Sequence, residues 1–546
     1  MQKTQTSHNR FLILTCTIIV IVEGLLALQG FCMADEGWSL SGYQQIYHDP
    51  ESVRYIFLFY NALWIGGLWE SLFGSWGIYG FRILNILTIV ASWVIIYRML
   101  NHYVNRWAIF FGVLIVCLAH DYGVMVFDHS SVTVVLSLMA AACLVRSLIN
   151  HDRRMSFAFG VCVAVNIFSR IPNLSQLALF LLFIPYYIHN RKCTATMRLA
   201  LSAAAGVVTG VAAMMLFMLA VGHLGIFVDN LTAGMSAATS TDSSHNLGAM
   251  MQTYGMQLTQ VAKNMVKVLI PPLLIPSFDN ILYLYAFCTL THVAAIWHYR
   301  RDIRIMYLLA TSLIMLYTLP LGSDFLIVNM GENSIWLATP LSVGIAWQMV
   351  GTINRRLPRY YIATIAGAFC IIHATFCCIH IGHNAYFDPG PRTLKTFRID
   401  HPLATTYTTE AYKTHTDKIL SRLRQYVEPG DYLFCFQNRP MLHYLTHTRP
   451  YMHNPWPWSY DNSMMELNMR QAEQRTEAKG EPWPVILREK GETIDFTQPD
   501  SLWNSTDATD TFAHKNRKVQ LIQDFIARHH YSVVWEDKNY QILCTR

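Results

Sequence analysis

The chain has 546 residues, of which 53% are hydrophobic and only 14% are charged, with a mean hydropathy of +0.26. Ordinary soluble proteins are about 25% charged, so this composition excludes a soluble globular protein and predicts a chain embedded in lipid. The net charge of +6 reflects basic residues placed beside the membrane spans, as described below, and does not indicate a nucleic-acid partner.

Apolar runs long enough to cross the ~30 Å hydrocarbon core of a bilayer recur up to Gly382 and then stop. We predict about 11 transmembrane helices from these runs. Their ranges are 11–31, 79–99, 107–119, 131–149, 156–169, 174–188, 199–221, 280–298, 305–321, 335–350 and 361–382. Residues 1–382 are therefore predicted to form the transmembrane domain of a polytopic α-helical membrane protein.

The distribution of Lys and Arg predicts how the spans are oriented across the membrane. With the N-terminus inside, sixteen basic residues flank the spans on the cytoplasmic side, where positive charge is retained. The opposite side up to residue 383 holds only five, which are Arg54, Arg82, Arg170, Lys263 and Lys267. An odd number of spans then places residues 383–546 outside. We predict a multi-pass protein of the cell inner (plasma) membrane with a cytoplasmic N-terminus and an extracytoplasmic, periplasmic C-terminal domain.

Two long outer loops interrupt the spans. Residues 31–78 contain an aromatic amphipathic segment that is expected to lie along the membrane interface. Residues 222–279 are expected to include an amphipathic helix over 250–267. The pair Pro271-Pro272 breaks the next apolar run, so a continuous helix there is disfavoured and 265–277 is expected to be re-entrant or interfacial.

The segment 383–546 has the pattern of a small α/β domain. Turn residues and apolar runs predict helices over 411–426 and 515–529, strands over 432–436 and 484–490, and a hairpin of 531–535 with 540–544. The fold class predicted for the whole chain is therefore a helical membrane domain followed by a soluble α/β domain.

The acidic residues point to a site on the outer side. Of the fifteen acids before residue 383, twelve fall in predicted outer loops, although acids contribute little to topology. Asp35 and Glu36 follow the first span directly, close to the membrane surface. A carboxyl group that is partly shielded from water there has a raised pKa and can act as a base. The alternative is a solvated pair at the end of a helix.

Four short motifs occur along the first half of the chain, and their order can be compared with that of known protein families. The first span is followed by Ala34-Asp35-Glu36-Gly37-Trp38, and residues 73–85 (FGSWGIYGFRILN) open the next span. Asp128-His129-Ser130-Ser131 enters the fourth span, and residues 168–173 (FSRIPN) form an Arg-x-Pro turn between the fifth and sixth. This order resembles the GT-C glycosyltransferases, in particular the bacterial relatives of the protein O-mannosyltransferases and of the aminoarabinose transferase. The resemblance is good over residues 10–220. In the later spans it is limited to the arrangement of the transmembrane segments.

The resemblance implies a membrane-embedded glycosyltransferase of the hexosyl- or pentosyltransferase type. Such an enzyme takes a sugar from a polyprenyl-phosphate donor and transfers it to a hydroxyl group of a lipid, glycan or protein acceptor on the extracytoplasmic face. It implies that Asp35 removes the acceptor proton, while Glu36 positions the acceptor or holds Asp35. Because a polyprenyl phosphate is a good leaving group, one base plus a cation or metal at the departing phosphate suffices.

Arg170, Lys263 and Lys267 are the candidates for binding the donor phosphate. Arg170 is one of few basic residues on the outer side, and the helix-breaking Pro172 follows it. The alternative role for Arg170 is to snorkel from a helix end to a lipid phosphate. Both lysines have a competing role as anchors at the membrane interface.

Asp121, Asp128, His129 and Asp324 are candidates for an acceptor or metal site. The oligosaccharyltransferase branch of the superfamily places metal-binding acids in the loop that holds Asp121 and Asp128, although the spacing here does not form a tight Asp-x-Asp. A divalent metal with His129 as a further ligand is one hypothesis, and a capping or packing histidine is the other. Asp324 lies in a predicted polar outer loop with Glu332 and Asn333. No other cofactor is indicated.

Functions of other classes remain open at this point. A transporter or flippase would show internal repeats and paired broken helices, and only the Pro271-Pro272 break qualifies. A non-catalytic membrane assembly protein would tolerate amides in place of Asp35 and Glu36. A polymerase or ligase of surface glycans would be expected to carry Arg in a large late outer loop, and residues 222–279 contain none.

Overall fold

The computed structural model describes residues 2–119, 125–239, 246–267, 280–322, 326–353, 385–490 and 515–545, with isolated positions between 371 and 382. Most of the predicted span 361–382 and most of 265–277 therefore lie outside the described residues. The same is true of Asp121 and Asp324.

The described residues up to 353 are mostly helical. The helices are α1 (Gln2–Leu26), α2 (Asp35–Gln45), α3 (Tyr60–Phe73), α4 (Gly77–Leu100), α5 (Arg106–Leu118), α6 (His129–Asn150), α7 (Arg153–Ile167), α8 (Phe183–Asn190), α9 (Cys193–Ala220), α10 (Leu224–Thr239), α11 (Leu247–Lys267), α12 (Asn280–His298), α13 (Ile303–Thr318) and α14 (Leu326–Ile353). Segments of 3₁₀ helix cover Pro50–Phe59, Gly74–Trp76 and Ile171–Leu182.

These helices match the predicted spans. Each predicted span from 11–31 to 335–350 overlaps helical structure, and the span 174–188 covers parts of two segments, the 3₁₀ helix Ile171–Leu182 and α8. Among the described residues, six helical runs are long and apolar enough to cross a membrane, and α5 and α13 are shorter apolar helices. This is the architecture of a polytopic α-helical membrane protein.

Two predictions about loops are wrong in detail. The stretch 222–279 contains two helices, α10 and α11, where one was expected. Glu332 and Asn333, expected in an outer loop, lie inside α14, which begins at Leu326 and is therefore longer than the predicted span 335–350. Two polar residues lower the local hydropathy but are tolerated in a membrane helix that faces other helices rather than lipid.

Several helices begin at a side chain that accepts hydrogen bonds from the free amides of the first turn. Asp152 caps α7 through Arg154 N and Met155 N, and Asp302 caps α13 through Arg304 N. Such caps stabilise a helix by about 1 kcal/mol each. Asp152 and Asp302 lie on the predicted cytoplasmic side, and helix capping accounts for both of them.

The C-terminal domain begins at residue 385 of the described chain. It contains β1 (Phe397–Arg398), β2 (Tyr407–Thr408), α15 (Glu410–Leu423), β3 (Tyr432–Cys435), α16 (Met441–Thr446), β4 (Arg449–Pro450), α17 (Asn462–Lys479), β5 (Val485–Glu489), α18 (Lys515–Arg528), β6 (Tyr531–Glu536) and β7 (Tyr540–Thr545). The five-stranded sheet has the order β4-β3-β5-β7-β6, with β3 parallel to β4 and β5 and the remaining pairs antiparallel. The predicted α/β class is therefore confirmed.

This domain packs directly on the first outer loop. The backbone of α2 approaches α16 so closely that a Cβ atom at Gly37 would lie 2.1 Å from Met441 N. Met441 N in turn donates to Met33 O over 2.9 Å. One hydrophobic cluster includes Leu40 and Phe57 from the loop and Leu442 from the domain. As a result α2 is almost entirely buried between the membrane helices and the C-terminal domain.

Candidate functional site

A polar cavity of about 190 Å³ opens at the N-terminal end of α2. Its walls come from α2, α4, the start of α6 and α14, together with one residue of the segment after the membrane helices. The lining residues are Asp35, Trp38, Ser39, Asn85, Thr88, Ile89, Ser92, Asp128, His129, Ser130, Ser131, Val134, Asn329, Met330, Glu332, Asn333, Trp336 and Tyr386. The cavity thus collects side chains that are far apart in the sequence.

Asp35 is the first residue of α2 and is half-buried in this wall. Its Oδ2 atom accepts a hydrogen bond from the Tyr386 hydroxyl over 2.5 Å. Burial raises the pKa of Asp35 to about 6, the Tyr386 hydrogen bond lowers it, and the nearby charge of Asp128 raises it. Asp35 is therefore mainly ionised at neutral pH but holds a proton more readily than an exposed carboxyl group, as a general base requires.

Tyr386 is a site residue that the sequence analysis missed. No motif surrounds it, and Asp35 is 351 positions away. Its neighbour Asp388 is fully buried, forms a 2.8 Å ion pair with Lys395 and accepts a 2.9 Å hydrogen bond from Phe31 N. These contacts tie the Tyr386 segment to the chain just before Asp35, and so hold the tyrosine hydroxyl at the carboxylate.

Asp128 and His129 lie in the same wall. Asp128 Oδ1 accepts from the amides of Ser130 and Ser131 in a capping box that starts α6. The His129 ring packs against Phe59, with 4.4 Å between ring centroids, and its Nδ1 lies 3.8 Å from Asp128 Oδ2. The capping and packing roles are therefore present, and both residues also border the cavity.

Glu36 does not line the cavity. Its carboxylate is 1% exposed, and its two oxygen atoms accept from Arg82 Nη2 over 2.8 and 3.0 Å. Arg82 also donates to the carbonyl oxygens of Ala27, Gln29 and Gly30 beyond the end of α1. The Glu36–Arg82 pair therefore joins α2 and α4 to the end of α1, and fixes the chain that leads into Asp35.

The three candidate phosphate ligands lie outside the cavity lining. Arg170 is 3% exposed and donates to Leu319 O over 3.2 Å and to Leu321 O over 3.5 Å, at the end of α13. Lys263 is exposed and Lys267 half-buried, both on α11. Among the described lining residues there is no Lys or Arg.

The cavity is acidic, with carboxyl groups from Asp35, Asp128 and Glu332. Glu332 reaches it from α14, together with the amide of Asn333. Within the part of the chain that the structure describes, no three His, Cys, Asp or Glu side chains are placed to share a metal ion.

Comparison with known proteins supports the fold but gives no sequence relative. No protein-family model and no curated protein matches the chain. The structure is similar to the crystal structure of ArnT from Cupriavidus metallidurans bound to undecaprenyl phosphate, with a TM-score of 0.51 and 11% identity. The match covers 99% of this chain and 98% of that one, and so includes the C-terminal domain. The chain therefore has the GT-C fold of a polytopic membrane protein.

Proposed function

We propose that the protein is a membrane-embedded glycosyltransferase that moves a sugar from a polyprenyl-phosphate donor to a hydroxyl acceptor on the extracytoplasmic face. The observation that carries this proposal is the half-buried Asp35 carboxylate, held by Tyr386 in a polar cavity between membrane helices. Two findings support it. The GT-C fold extends over the whole chain, and the ArnT structure with that fold holds a polyprenyl phosphate.

In the proposed reaction Asp35 removes the proton of the acceptor hydroxyl as its oxygen attacks the anomeric carbon. The bond between that carbon and the phosphate oxygen breaks, and polyprenyl phosphate leaves with the electron pair. Asp35 then releases its proton to water. A positioned base of this kind contributes about 10²- to 10⁴-fold to a rate. Tyr386 acts through Asp35, by fixing the orientation of its carboxylate.

The other candidate residues are proposed to bind the acceptor or the donor phosphate. Asp128 and His129 border the cavity and would bind the acceptor. Arg170 is the buried candidate for the departing phosphate, and Lys263 and Lys267 are the exposed ones. Use of Arg170 would require it to turn away from the carbonyl groups at the end of α13. A divalent metal at this site would be held by Asp128, with His129 as a further ligand.

The Asp35→Asn variant tests the base. The amide keeps the shape of the side chain but cannot take a proton, so we expect transfer to fall at least about 100-fold while expression and membrane insertion stay unchanged. Transfer is measured with purified protein and radiolabelled polyprenyl-phosphate sugar. Asp229→Asn, at an exposed acid of α10, is the matched control. Full transfer by Asp35→Asn would contradict the assignment and favour a non-catalytic role.

The Glu36→Gln variant separates the two adjacent acids. Loss of the Glu36 charge leaves Arg82 buried without its ion-pair partner, which typically costs about 3–5 kcal/mol. We therefore expect a clearly lower thermal unfolding midpoint in detergent, with transfer per folded molecule largely kept. Wild-type stability combined with lost transfer would instead show that Glu36 contacts the acceptor.

A further inference from the structure

A second cavity lies at the other end of α2. It has a volume of about 520 Å³, which is within the ~300–1,000 Å³ typical of ligand pockets. The lining residues are Tyr43, Gln44, Gln45, Tyr47, His48, Asp49, Glu70, Ser71, Gly430, His447, Arg449 and Lys479. They come from the end of α2, the turn after it, α3 and the C-terminal domain. At about 1.5 Å per helical residue, Gln44 is about 14 Å along α2 from Asp35.

The chemistry of this wall is that of a site for hydroxyl groups. No aliphatic side chain is present among the described lining residues, so the wall does not favour an acyl or isoprenoid chain. Asp49 offsets Arg449, and Glu70, whose pKa burial raises to about 7, offsets Lys479 in part, so the wall carries no strong net charge of either sign. Amide, carboxylate and guanidinium groups pair with sugar hydroxyls, and tyrosine rings pack on the apolar faces of sugar rings.

The wall is held in place before any ligand binds. Gln44 Nε2 lies 2.7 Å from His447 Nδ1 across the junction with the C-terminal domain. Asp49 Oδ2 accepts from the Tyr432 hydroxyl over 3.1 Å. The Arg449 guanidinium stacks over the Tyr432 ring, 3.8 Å from its centroid, and reaches Asp49 Oδ2 at 3.4 Å. Preorganised polar groups lose little conformational entropy when a ligand arrives.

Two oxygen atoms in this wall lack a hydrogen bond. Gln44 Oε1 and Glu70 Oε2 are buried and accept no hydrogen bond in the described structure, although the Gln44 side chain lies within hydrogen-bonding reach of the Glu70 carboxyl group. A buried acceptor without a donor costs about 1–3 kcal/mol. Ligand hydroxyl groups are donors, and would satisfy both atoms.

We propose that this second cavity is a carbohydrate-binding site that takes an uncharged sugar of one or two rings. Gln44, Asp49 and Glu70 accept from its hydroxyl groups, and Arg449 and Lys479 donate to them. The inference goes beyond the proposed glycosyl transfer and does not rest on it, because none of the lining residues is shared with the Asp35 cavity.

The test measures sugar binding to the full chain by saturation-transfer NMR and calorimetry. The protein is placed in lipid nanodiscs, since maltoside and glucoside detergents carry sugars themselves. The probes are glucose, galactose, mannose and N-acetylglucosamine with their β-1,4-linked disaccharides. We expect saturable binding of at least one probe with a dissociation constant of about 1 mM.

Two variants locate the binding. Glu70→Gln replaces an acceptor oxygen by a donor, and Ser71→Trp fills the cavity from an exposed position. Each should weaken binding about tenfold or more, equivalent to about 1.4 kcal/mol. Asp229→Asn should bind as the wild type does. If Glu70→Gln fails to fold, Ser71→Trp decides the question.

Either of two outcomes overturns the inference. One is the absence of saturable binding by any probe up to about 50 mM, well above the expected scale. The other is wild-type binding by a folded Ser71→Trp variant. Binding that survives in Asp35→Asn while transfer is lost separates the two cavities. If the wild-type protein transfers sugar but binds none of the probes, the sugar site is contradicted and the proposed glycosyl transfer is not.

Discussion

Asp35 and Glu36 are adjacent in the chain, yet their carboxyl groups meet different surroundings. An α-helix turns by about 100° per residue, so neighbouring side chains in the first turn of α2 point in different directions. Asp35 faces the cavity and Tyr386, whereas Glu36 faces Arg82. Both are near a helix N-terminus, which favours a carboxylate. For Asp35 the loss of water is the larger effect, and its pKa is raised.

The pH dependence of transfer follows from that pKa. The reactive form of Asp35 is ionised, and its pKa is about 6. We therefore expect kcat/KM to rise with pH through a single ionisation near 6 and to level off above it, until another group titrates. The measurement is a rate profile between about pH 5 and 8. A flat profile over this range would contradict Asp35 as the base.

Removal of the Tyr386 hydroxyl should move this profile. The hydrogen bond from Tyr386 favours the ionised form of Asp35, so Tyr386→Phe should raise its pKa and shift the rising limb to higher pH. Loss of transfer should be greatest at acidic pH. Tyr426→Phe, at a hydroxyl that bonds only Val534 O among the described contacts, is the control. An unshifted limb would show that Tyr386 has no effect on the base.

At the scale of elements, apolar runs were readable in the sequence, and helices made mostly of polar residues were not. The spans follow from hydropathy, and strands such as β3 and β5 from short apolar runs between turn residues. Helix α17 was missed because most of its residues are polar, although Met464, Met465 and Met469 lie on a buried face. Its signals were Asp461, which accepts from Met464 N at the start, and Gly480, which takes a left-handed conformation at the end.

The junction of α4 with the C-terminal domain depends on one glycine. Gly77 has a φ of +59°, and a Cβ atom there would lie 2.2 Å from Leu403 O. We expect Gly77→Ala to lower stability by more than about 2 kcal/mol, through backbone strain and a clash with main chain. Thermal unfolding and limited proteolysis of the C-terminal domain measure the effect.

The control for this variant is Gly255→Ala. Gly255 lies inside α11, and a Cβ atom there would meet no atom within 4 Å. Alanine is the better helix former by about 1 kcal/mol, so this change should be neutral or stabilising. Equal stability of the two variants would mean that the Leu403 backbone moves freely away from α4.

At the scale of the whole molecule, the sequence predicts which side of the membrane a residue faces but not which helices are neighbours. Asp35, Asp128 and Glu332 could be assigned to one predicted side by counting spans. Their meeting in one cavity depends on the packing of α2, α4, α6 and α14, for which hydropathy carries no information. The same limit applies to Tyr386, whose position is set by contacts between residues far apart in the chain.

The orientation of the molecule is itself a prediction. Because cytoplasmic loops retain Lys and Arg, alkaline phosphatase fused after Thr545 should be active, and the same enzyme fused after Lys192, between α8 and α9, should be inactive. Alkaline phosphatase folds only outside the cytoplasm, where its disulfides form. The reverse pattern would place the Asp35 cavity on the cytoplasmic side and contradict transfer on the outer face.

The hydrogen bond between Tyr386 and Asp35 also bears on biosynthesis. The two residues are 351 positions apart, so at about 5–20 residues per second Asp35 is translated about 20–70 s before Tyr386. During that interval the carboxyl group lacks its hydroxyl partner, and the buried Asp388–Lys395 pair does not yet exist. The arrangement proposed to be active therefore forms only after the helices up to α14 have been made, and a chain released before residue 386 lacks the Tyr386 hydrogen bond to Asp35.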